Sequence, residues 1–200
     1  MKERQEIEKI IEPHYEKIVT AMSMAFEDYM NFTQSYSRLP EFDLNKRTIT
    51  SLIHDFTRAR IQISFSGVDD VKVGTYNKIF GLVIDDQVFI RFKKIKPDYS
   101  TSNIPTKQTR DYEQQQIEFL ELPSKPVYLY AGYMLNETWT SIKDLYIMCK
   151  QGKVIHWIKD LSGTVEQSQL PFIEIPNVPE IEKIVRVKPK ESNKDVVNMD

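Results

Sequence analysis

The stretch from Lys78 to Lys96 reads K-I-F-G-L-V-I-D-D-Q-V-F-I-R-F-K-K-I-K, and P-D-Y-S-T-S-N-I-P-T-K-Q-T-R-D-Y follows up to Tyr112. Two runs rich in β-branched and aromatic residues flank Asp85 and Asp86, which is the pattern of a β-hairpin closed by a two-residue turn. A polar loop and the beginning of a helix come next. The stretch therefore predicts strands at the centre of the protein.

The segment before the hairpin has helical periodicity. Over residues 5–35, apolar side chains recur at three- and four-residue spacing, and Pro13 either kinks this helix or begins a new one. The stripe consists of Ile7, Ile11, Tyr15, Ile18, Met22, Phe26 and Tyr29. We expect it to pack on the sheet, with a self-association seam as the alternative. A second helix is predicted over about 48–60.

The pattern changes towards β at 61–65, where apolar residues alternate. Further strands are predicted at 71–75, 78–84, 87–95, 126–135, 143–149 and 153–159, with a helix at 106–121. The expected class is α+β, with two N-terminal helices and a mostly antiparallel sheet of about six strands around one central helix. The expected division is an N-terminal helix and connector (1–47), an α+β core domain (48–165), and a proline-bearing arm with a disordered tail (166–200).

Composition narrows the functional classes. The 200 residues carry a net charge of −2, which excludes a uniformly basic nucleic-acid binder, so any such function needs a local excess of cations. The single cysteine, Cys149, excludes an intrachain disulfide and is expected to be a small buried residue. No apolar run approaches a membrane span, and the N-terminus lacks a signal-peptide core. We therefore expect a protein without a membrane partner that is cytoplasmic, with export by a route not visible in the sequence as the alternative.

The densest basic cluster lies in the opening stretch and its helix. The candidate residues for binding an anion or nucleic acid are Lys78, Arg91, Lys93, Lys94, Lys96, Lys107, Gln108 and Arg110. A two-residue turn places Phe80 opposite Arg91 and Lys78 opposite Lys93 on one face. Like charges that face each other destabilise a sheet, and a bound anion would remove the repulsion. Alternatively, both lysines extend apart into water at a sheet edge.

The predicted helix at 106–121 adds a second argument. Lys107 and Arg110 lie at its N-terminal end, where the helix dipole disfavours positive charge but free backbone N–H groups attract anions. Phe89, Tyr99 and Tyr112 are candidates for stacking on nucleic-acid bases beside these cations, with simple packing as the alternative for each.

The order helix–strand–strand–strand–helix–strand resembles the core of PD-(D/E)XK nucleases, and Gln108 to Tyr112 is similar to the Q-x-x-x-Y helix motif of one branch. The resemblance implies an aspartate on the second strand facing a (D/E)-x-K on the third, with a divalent metal between them. Here the third-strand positions are Arg91-Phe92-Lys93, and residues 77–79 contain no acid. Because arginine repels a metal ion, we predict no metal ligand, catalytic residue or cofactor.

The strings R-F-K-K and S-N-I-P-T-K-Q are also similar to small uncharacterised bacterial proteins of prophages and other mobile elements, which implies a defence, counter-defence or toxin–antitoxin setting.

Three functional hypotheses follow. The first is a non-enzymatic domain that binds nucleic acid or another polyanion through the basic cluster. The second is a protein-interaction module, such as an antitoxin or inhibitor, which would use the Ile7–Tyr29 stripe and the arm at 171–187. The third is a degenerate metal nuclease of the PD-(D/E)XK kind.

Overall fold

The computed structural model describes residues 3–36, 44–101 and 106–163 of the chain. Their helices are α1 (Arg4–Ile11), α2 (Tyr15–Tyr36), α3 (Lys46–Ser64) and α4 (Lys107–Glu113), and a single 3-10 turn at Glu12–His14 joins α1 to α2. Their strands are β1 (Val71–Tyr76), β2 (Ile79–Ile84), β3 (Val88–Lys94), β4 (Val127–Leu135), β5 (Ile142–Gln151) and β6 (Val154–Asp160). The class is α+β, as predicted.

The six strands form one sheet in which the spatial order follows the chain order, β1 to β6. Four of the neighbouring pairs are antiparallel, whereas β3 and β4 run parallel, with Val88 beside Val127 and Lys94 beside Tyr133. A parallel pair needs a long crossover connection. Helix α4 lies in that crossover, and this placement brings it close to the end of β3.

Both faces of the sheet are covered. On one face, α1, α2 and α3 bury a cluster that includes Leu82, Ile90 and Leu129. On the other face, α4 and the residues after it bury a second cluster that includes Phe89 and Tyr112. Every residue of β2 and of β4 is buried, which is what a strand with two covered faces requires.

The N-terminal stripe packs into the protein's own core. Its seven side chains, from Ile7 to Tyr29, are each no more than 7 % exposed and belong to the first cluster. The expected packing on the sheet is therefore confirmed. The alternative of an exposed seam for self-association or a protein partner is wrong for these residues, because their apolar surface is already buried. Pro13 occupies one of the first positions of the 3-10 turn between α1 and α2, where its fixed φ is tolerated.

Helix α3 continues through the residues that were predicted to be a strand. Asn45 begins it by accepting a hydrogen bond from the backbone N–H of Thr48 at 3.0 Å. Ile61 is fully buried and Ile63 is 67 % exposed. The alternation at 61–65 is thus a helical pattern, since Ile61 follows the buried Ile53 at a multiple of four residues.

The hairpin between β2 and β3 has a three-residue loop, and the predicted two-residue turn is wrong. Ile84 pairs with Val88, and Asp85 and Asp86 both have a φ of 51°. The extra loop residue shifts the strand pairing by one position. The β3 side chains that share a face of the sheet with a given β2 side chain are therefore those that a two-residue turn would place on the opposite face. The predicted facing of Lys78 and Lys93 is therefore also wrong.

Lys78 itself lies in the tight turn between β1 and β2, where Asn77 and Lys78 both have positive φ values of 44° and 64°. Tyr76 pairs with Ile79 across this turn. Two successive residues with positive φ are the geometry of a type I′ hairpin turn. The predicted strand at 78–84 thus begins one residue later.

Helix α4 ends at Glu113, so the predicted helix at 106–121 is too long. Gln115 follows with a φ of 60°, outside helical geometry. Its side-chain amide donates to the carbonyls of Tyr128 and Lys150 at 2.7 and 3.0 Å, and its carbonyl oxygen accepts from the N–H of Tyr128 at 2.8 Å. These three hydrogen bonds satisfy both peptide groups of Tyr128 at the start of β4 and the carbonyl of Lys150 in β5, which a continued helix would leave unpaired.

The proline-bearing arm and tail expected at 166–200, including the arm at 171–187, lie outside the described residues. Within the described ranges, no helix combines the length and the apolar character that crossing a membrane would need.

Candidate anion-binding site

The candidate site begins where β2 and β3 separate. Their pairing covers Leu82–Ile84 against Val88–Ile90 and ends with Leu82 beside Ile90. Beyond that point β2 pairs with β1, and β3 pairs with β4. The second half of β3, from Arg91 to Lys94, therefore pairs with β4 on one side and borders an opening on the side of β2.

A cavity of about 690 Å³, which we call the basic cavity, occupies this opening between α3 and α4. Its lining residues are Arg47, Thr50, Ser51, His54, Asp55, Thr57, Arg91, Phe92, Lys93, Lys94, Thr106, Gln108, Thr109 and Tyr133. A smaller cavity of about 110 Å³, the side cavity, shares His54, Arg91 and Lys93 with it and adds Arg58 and Lys78. The two cavities thus meet at the second half of β3.

The basic cavity has a rim and a floor. Arg47, Asp55 and Thr106 are exposed and mark its rim. Thr57 and Tyr133 are only 2 % and 4 % exposed and lie at its floor. Arg91 and Lys93 are half-buried between these levels. The cations of β3 are therefore recessed below the surface.

Positive charge dominates the lining. The two cavities together contain six cations and one carboxylate among the described residues, and the cations are Arg47, Arg58, Lys78, Arg91, Lys93 and Lys94. The ion pairs within the described part of the chain involve other residues, so none of the six cations is neutralised there. The carboxylate, Asp55, is exposed at the rim. Such a lining attracts anions and repels metal ions.

Two donors in the wall are left unsatisfied. Nη1 of Arg91 and the hydroxyl of Tyr133 are buried, and neither has a hydrogen-bond partner among the described residues. The Arg91 guanidinium also lies 5.5 Å from the centre of the Tyr112 ring. A buried donor without a partner costs about 1–3 kcal/mol, and a charged one costs more. An anion that draws these groups into the cavity would remove that cost.

The environment disfavours protons on two groups that line both cavities. Burial and the nearby cations Lys93, Arg58 and Arg91 lower the pKa of His54 to about 4, although Asp55 acts in the opposite direction. Burial and the Arg91 charge lower the pKa of Lys93 to about 8. Both shifts express the same fact, that positive charge is crowded in a partly desolvated space.

Lys94 extends to the opposite side of β3 from Lys93, yet it also borders the basic cavity. Its ammonium lies 3.1 Å from the centre of the Trp139 ring, and Lys46 approaches the same ring at 5.3 Å. Burial, Lys46 and Lys96 lower the pKa of Lys94 to about 8. The Trp139 face stabilises a cation that has no carboxylate partner among the described residues.

Hydroxyl groups of α3 present acceptors to the cavity. Thr50 donates its hydroxyl hydrogen to the carbonyl of Lys46 at 2.9 Å, and Ser51 donates to that of Arg47 at 3.0 Å. With these hydrogens donated to helix carbonyls, the hydroxyl oxygens are placed to accept hydrogen bonds from a ligand. The donors for an anion therefore come from β3 and β4 and from the exposed arginines of α3, whereas the hydroxyl oxygens and Asp55 of α3 are acceptors.

Five of the eight predicted anion-binding residues line the two cavities: Lys78, Arg91, Lys93, Lys94 and Gln108. The structure thus brings Lys78 and Lys93 together around one cavity, although they are not a cross-strand pair. Gln108 also donates its side-chain amide to the carbonyl of Asn77, so this amide is partly committed within the protein.

The other three predicted residues lie outside both cavities. Lys96 and Arg110 are exposed and line neither one. Lys107 forms an ion pair with Asp111 at 2.6 Å in a neighbouring depression of about 580 Å³. The helix-dipole argument for Lys107 and Arg110 is lost, because α4 has seven residues and its first turn pairs internally through Thr106 and Thr109.

Two of the three stacking candidates are packed in the core. Phe89 and Tyr112 are fully buried, and the Tyr112 hydroxyl donates to the carbonyl of Leu129 at 2.6 Å. Base stacking by these two is therefore wrong. Tyr99 is 36 % exposed and contacts the Tyr146 ring edge-on at 5.5 Å, so part of its ring remains accessible.

The sequence patterns missed the contribution of α3 and β4. Arg47, His54 and Arg58 recur with Ser51 at three- and four-residue spacing, which places them along one side of the helix. That polar stripe is visible in the sequence, but nothing local indicates that it faces the cations of β3. Tyr133 gave no comparable signal, because nothing local marks a buried hydroxyl as unpaired.

The positions that the nuclease resemblance assigns to metal ligands carry cations. Arg91 and Lys93 border the opening, and Lys78, Ile79 and Phe80 lie across it. Among the described residues, no group of three or more histidine, cysteine, aspartate or glutamate side chains is arranged to hold a metal ion. Cys149 is fully buried in β5, and burial raises the pKa of its thiol to about 11.

Comparisons with protein-family models, with curated proteins and with solved structures found no match for this chain.

Proposed function

We propose that this protein is a binding domain for nucleic acid or another polyanion, and that the basic cavity with its side cavity is the binding site. The observation that carries the proposal is a set of six cations, the three on β3 half-buried and the other three exposed, without a carboxylate partner among the described residues. A protein gains nothing from this arrangement in isolation, because crowded like charges repel each other. An anion gives the arrangement a favourable partner.

The pKa values of Lys93 and His54 support the proposal. Each is lowered by burial and by neighbouring cations, so the unliganded site holds its positive charges in an unfavourable state. A bound anion reverses the electrostatic part of that effect, since opposite charge favours the protonated forms. The relief of this electrostatic repulsion therefore contributes to the free energy of binding.

The proposal is one of binding without chemistry. Lys93 matches the lysine of the metal-nuclease motif that the chain resembles, but Arg91 occupies the place of the acidic metal ligand. A guanidinium there favours the phosphate of a nucleic acid over a divalent cation. The N-terminal stripe cannot serve the alternative of a protein-interaction module, because its side chains are buried in the protein's own core. The other surface named for that alternative, the arm at 171–187, lies outside the described residues.

The test compares two charge-reversal variants of equal net charge. Arg91→Glu/Lys93→Glu changes the cavity, and Lys96→Glu/Arg110→Glu changes two exposed cations that line neither cavity. Binding of a labelled single-stranded oligonucleotide is followed by fluorescence anisotropy over a range of salt concentrations. We expect the cavity variant to lose binding and the control to retain most of it. For wild type, log affinity should fall linearly with log salt, by about 0.7 per phosphate neutralised.

Equal binding by wild type and the cavity variant would contradict the proposal. Equal losses in the two variants would also contradict it, because they would indicate a general surface attraction in place of this cavity. Parallel incubations with magnesium, manganese and a chelator monitor the length of the oligonucleotide. Metal-dependent cleavage that the chelator abolishes would instead support the nuclease hypothesis.

A further inference from the structure

We propose that the basic cavity takes a phosphate monoester attached to a hydroxyl-bearing compound, the chemistry shared by a free nucleotide and by the phosphorylated end of a nucleic-acid strand. This inference rests on the proposed function and narrows it, because it distinguishes a terminal phosphate from the internal phosphodiesters of a backbone. Three features of the cavity carry it: its depth, the concentration of its charge, and the hydrogen-bond acceptors that α3 presents.

The depth of the cavity favours a terminal group. The floor at Tyr133 is 4 % exposed, and Arg91 and Lys93 are half-buried above it, so a ligand must enter the space between α3 and α4 to meet them. An internal phosphate is flanked by nucleotides on both sides, so it reaches recessed groups less easily than a terminal phosphate does. A volume of about 690 Å³ is typical of sites for small molecules.

The charge of the cavity favours a monoester over a diester. Arg91 and Lys93 project from alternate positions of β3, and Lys94 adds a third cation at the same strand end. A monoester carries a charge of about −1.5 to −2 near neutral pH and has three terminal oxygens, whereas a diester carries one charge. The monoester therefore offsets more of this concentrated charge within the same small space.

The α3 side of the cavity favours hydroxyl groups on the rest of the ligand. Thr50 and Ser51 present oxygens whose hydrogens are already donated to helix carbonyls, and Asp55 presents a carboxylate. All three are acceptors that α3 contributes to the lining, beside its exposed cation Arg47. A bare inorganic anion would meet only repulsion from Asp55, while sugar hydroxyls can donate to it. The cavity thus suits a ligand with a charged end and a hydroxylated body.

The first experiment measures binding to a short RNA single strand with and without a 5′-phosphate, with adenosine 5′-monophosphate as competitor, since the ribose of both probes carries a free hydroxyl. We expect the phosphorylated strand to bind at least about tenfold more tightly, which corresponds to one added charge-assisted contact. Effective competition by the nucleotide identifies the free compound as a sufficient ligand. Failure to compete, with the phosphate preference retained, identifies the strand end as the source of the monoester.

Equal binding of the two strands, still dependent on Arg91 and Lys93, would overturn this inference and leave the proposed function standing. No binding of any probe, or binding that Arg91→Glu/Lys93→Glu leaves unchanged, would overturn the proposed function itself. The two failures are therefore distinguishable in one set of titrations.

A second experiment tests the hydroxylated body through Asp55→Ala, with Glu16→Ala on α2 as a control of the same charge change. We expect Asp55→Ala to strengthen the binding of sulfate, because a repulsive charge is removed, and to weaken the binding of adenosine 5′-monophosphate severalfold, because an acceptor is lost. If both ligands bind the variant more tightly, Asp55 is merely repulsive and the assignment of the hydroxyl-bearing portion is wrong.

Discussion

The titration of Lys93 provides a direct measure of whether this lysine contacts the ligand. Burial and Arg91 lower its pKa to about 8 in the unliganded protein. An anion beside the ammonium raises that pKa again, so binding should be accompanied by proton uptake. Sulfate is the appropriate probe, because it keeps both negative charges across the neutral and mildly alkaline range, whereas the charge of a phosphate monoester changes within it.

The magnitude follows from the fraction of charged Lys93. With a pKa of about 8, roughly nine-tenths of this lysine is protonated at about pH 7 and roughly one-tenth at about pH 9. If only the protonated form binds, the apparent affinity for sulfate falls about tenfold over this interval. His54 titrates near 4, and burial raises the pKa of Tyr133 well above the usual value, so neither group changes charge in the same window.

Isothermal titration calorimetry measures both the affinity and the proton uptake. Lys94 has its own lowered pKa of about 8, so the comparison is made in a Lys94→Arg background, in which arginine retains the charge and can stack on Trp139. In that background, Lys93→Arg should bind sulfate with an affinity that is nearly independent of pH. The protein with Lys93 should take up about half a proton on binding near pH 8.

The reasoning would be refuted if the protein with Lys93 showed the same flat profile as the arginine variant. It would also be refuted if the two proteins lost affinity in parallel, because a parallel loss would place the titrating group elsewhere in the site.

Three further predictions concern the scaffold. The lowered pKa of His54 means that the unfolded chain binds a proton at a higher pH than the folded protein does. The free energy of unfolding should therefore decrease as the pH falls from about 6.5 towards 4, by up to about 3 kcal/mol. His54→Gln should remove this part of the acid sensitivity in denaturant titrations. Gly81→Ala should destabilise the protein by about 1–3 kcal/mol in thermal unfolding, because its Cβ would lie 2.3 Å from the Phe89 ring, whereas Gly163→Ala, with open space around it, should change stability little. Gln115→Ala should cost about 1–3 kcal/mol in the same measurement, since it leaves strand peptide groups unpaired, and a smaller loss would mean that water replaces the amide.

The fold class and most strand boundaries could be predicted from the sequence, because periodicity reflects which face of an element is buried. The hairpin register could not. Asp85 and Asp86 accept positive φ in a two-residue or a three-residue loop, and the alternating residues on either side fit both. Gln87 is the one additional loop residue. Its inclusion determines which β2 side chains lie on the same face of the sheet as the β3 cations.

The length of α4 shows a second limit. Nothing in the local sequence after Glu113 breaks a helix before Pro123, and the chain nevertheless leaves helical geometry at Gln115. The reason is tertiary, since this side chain satisfies the peptide groups of Tyr128 at the start of β4. Local preference is overruled where a non-local hydrogen-bond requirement is stronger.

For the candidate site, the sequence indicated the cations of β3 but not their neighbours. Arg91 and Lys93 belong to a locally dense basic run, which composition reveals directly. Arg47 and Arg58 join them only because α3 packs across the end of β3. A site assembled from distant segments is visible in sequence only after the packing of those segments is known.

The chain-order arrangement of the strands also bears on how the protein acquires its fold. Residues 71–94 and 127–160 each form three neighbouring antiparallel strands with short connections, and one parallel contact between β3 and β4 unites them across a long crossover. Short-range pairings form quickly, and the contact that closes the longest loop comes late. Arg91 belongs to the first group of strands and Tyr133 to the second, so we expect the basic cavity to form only when the two groups pair. An anion present during refolding should then stabilise the paired state without increasing the rate at which either group of strands forms.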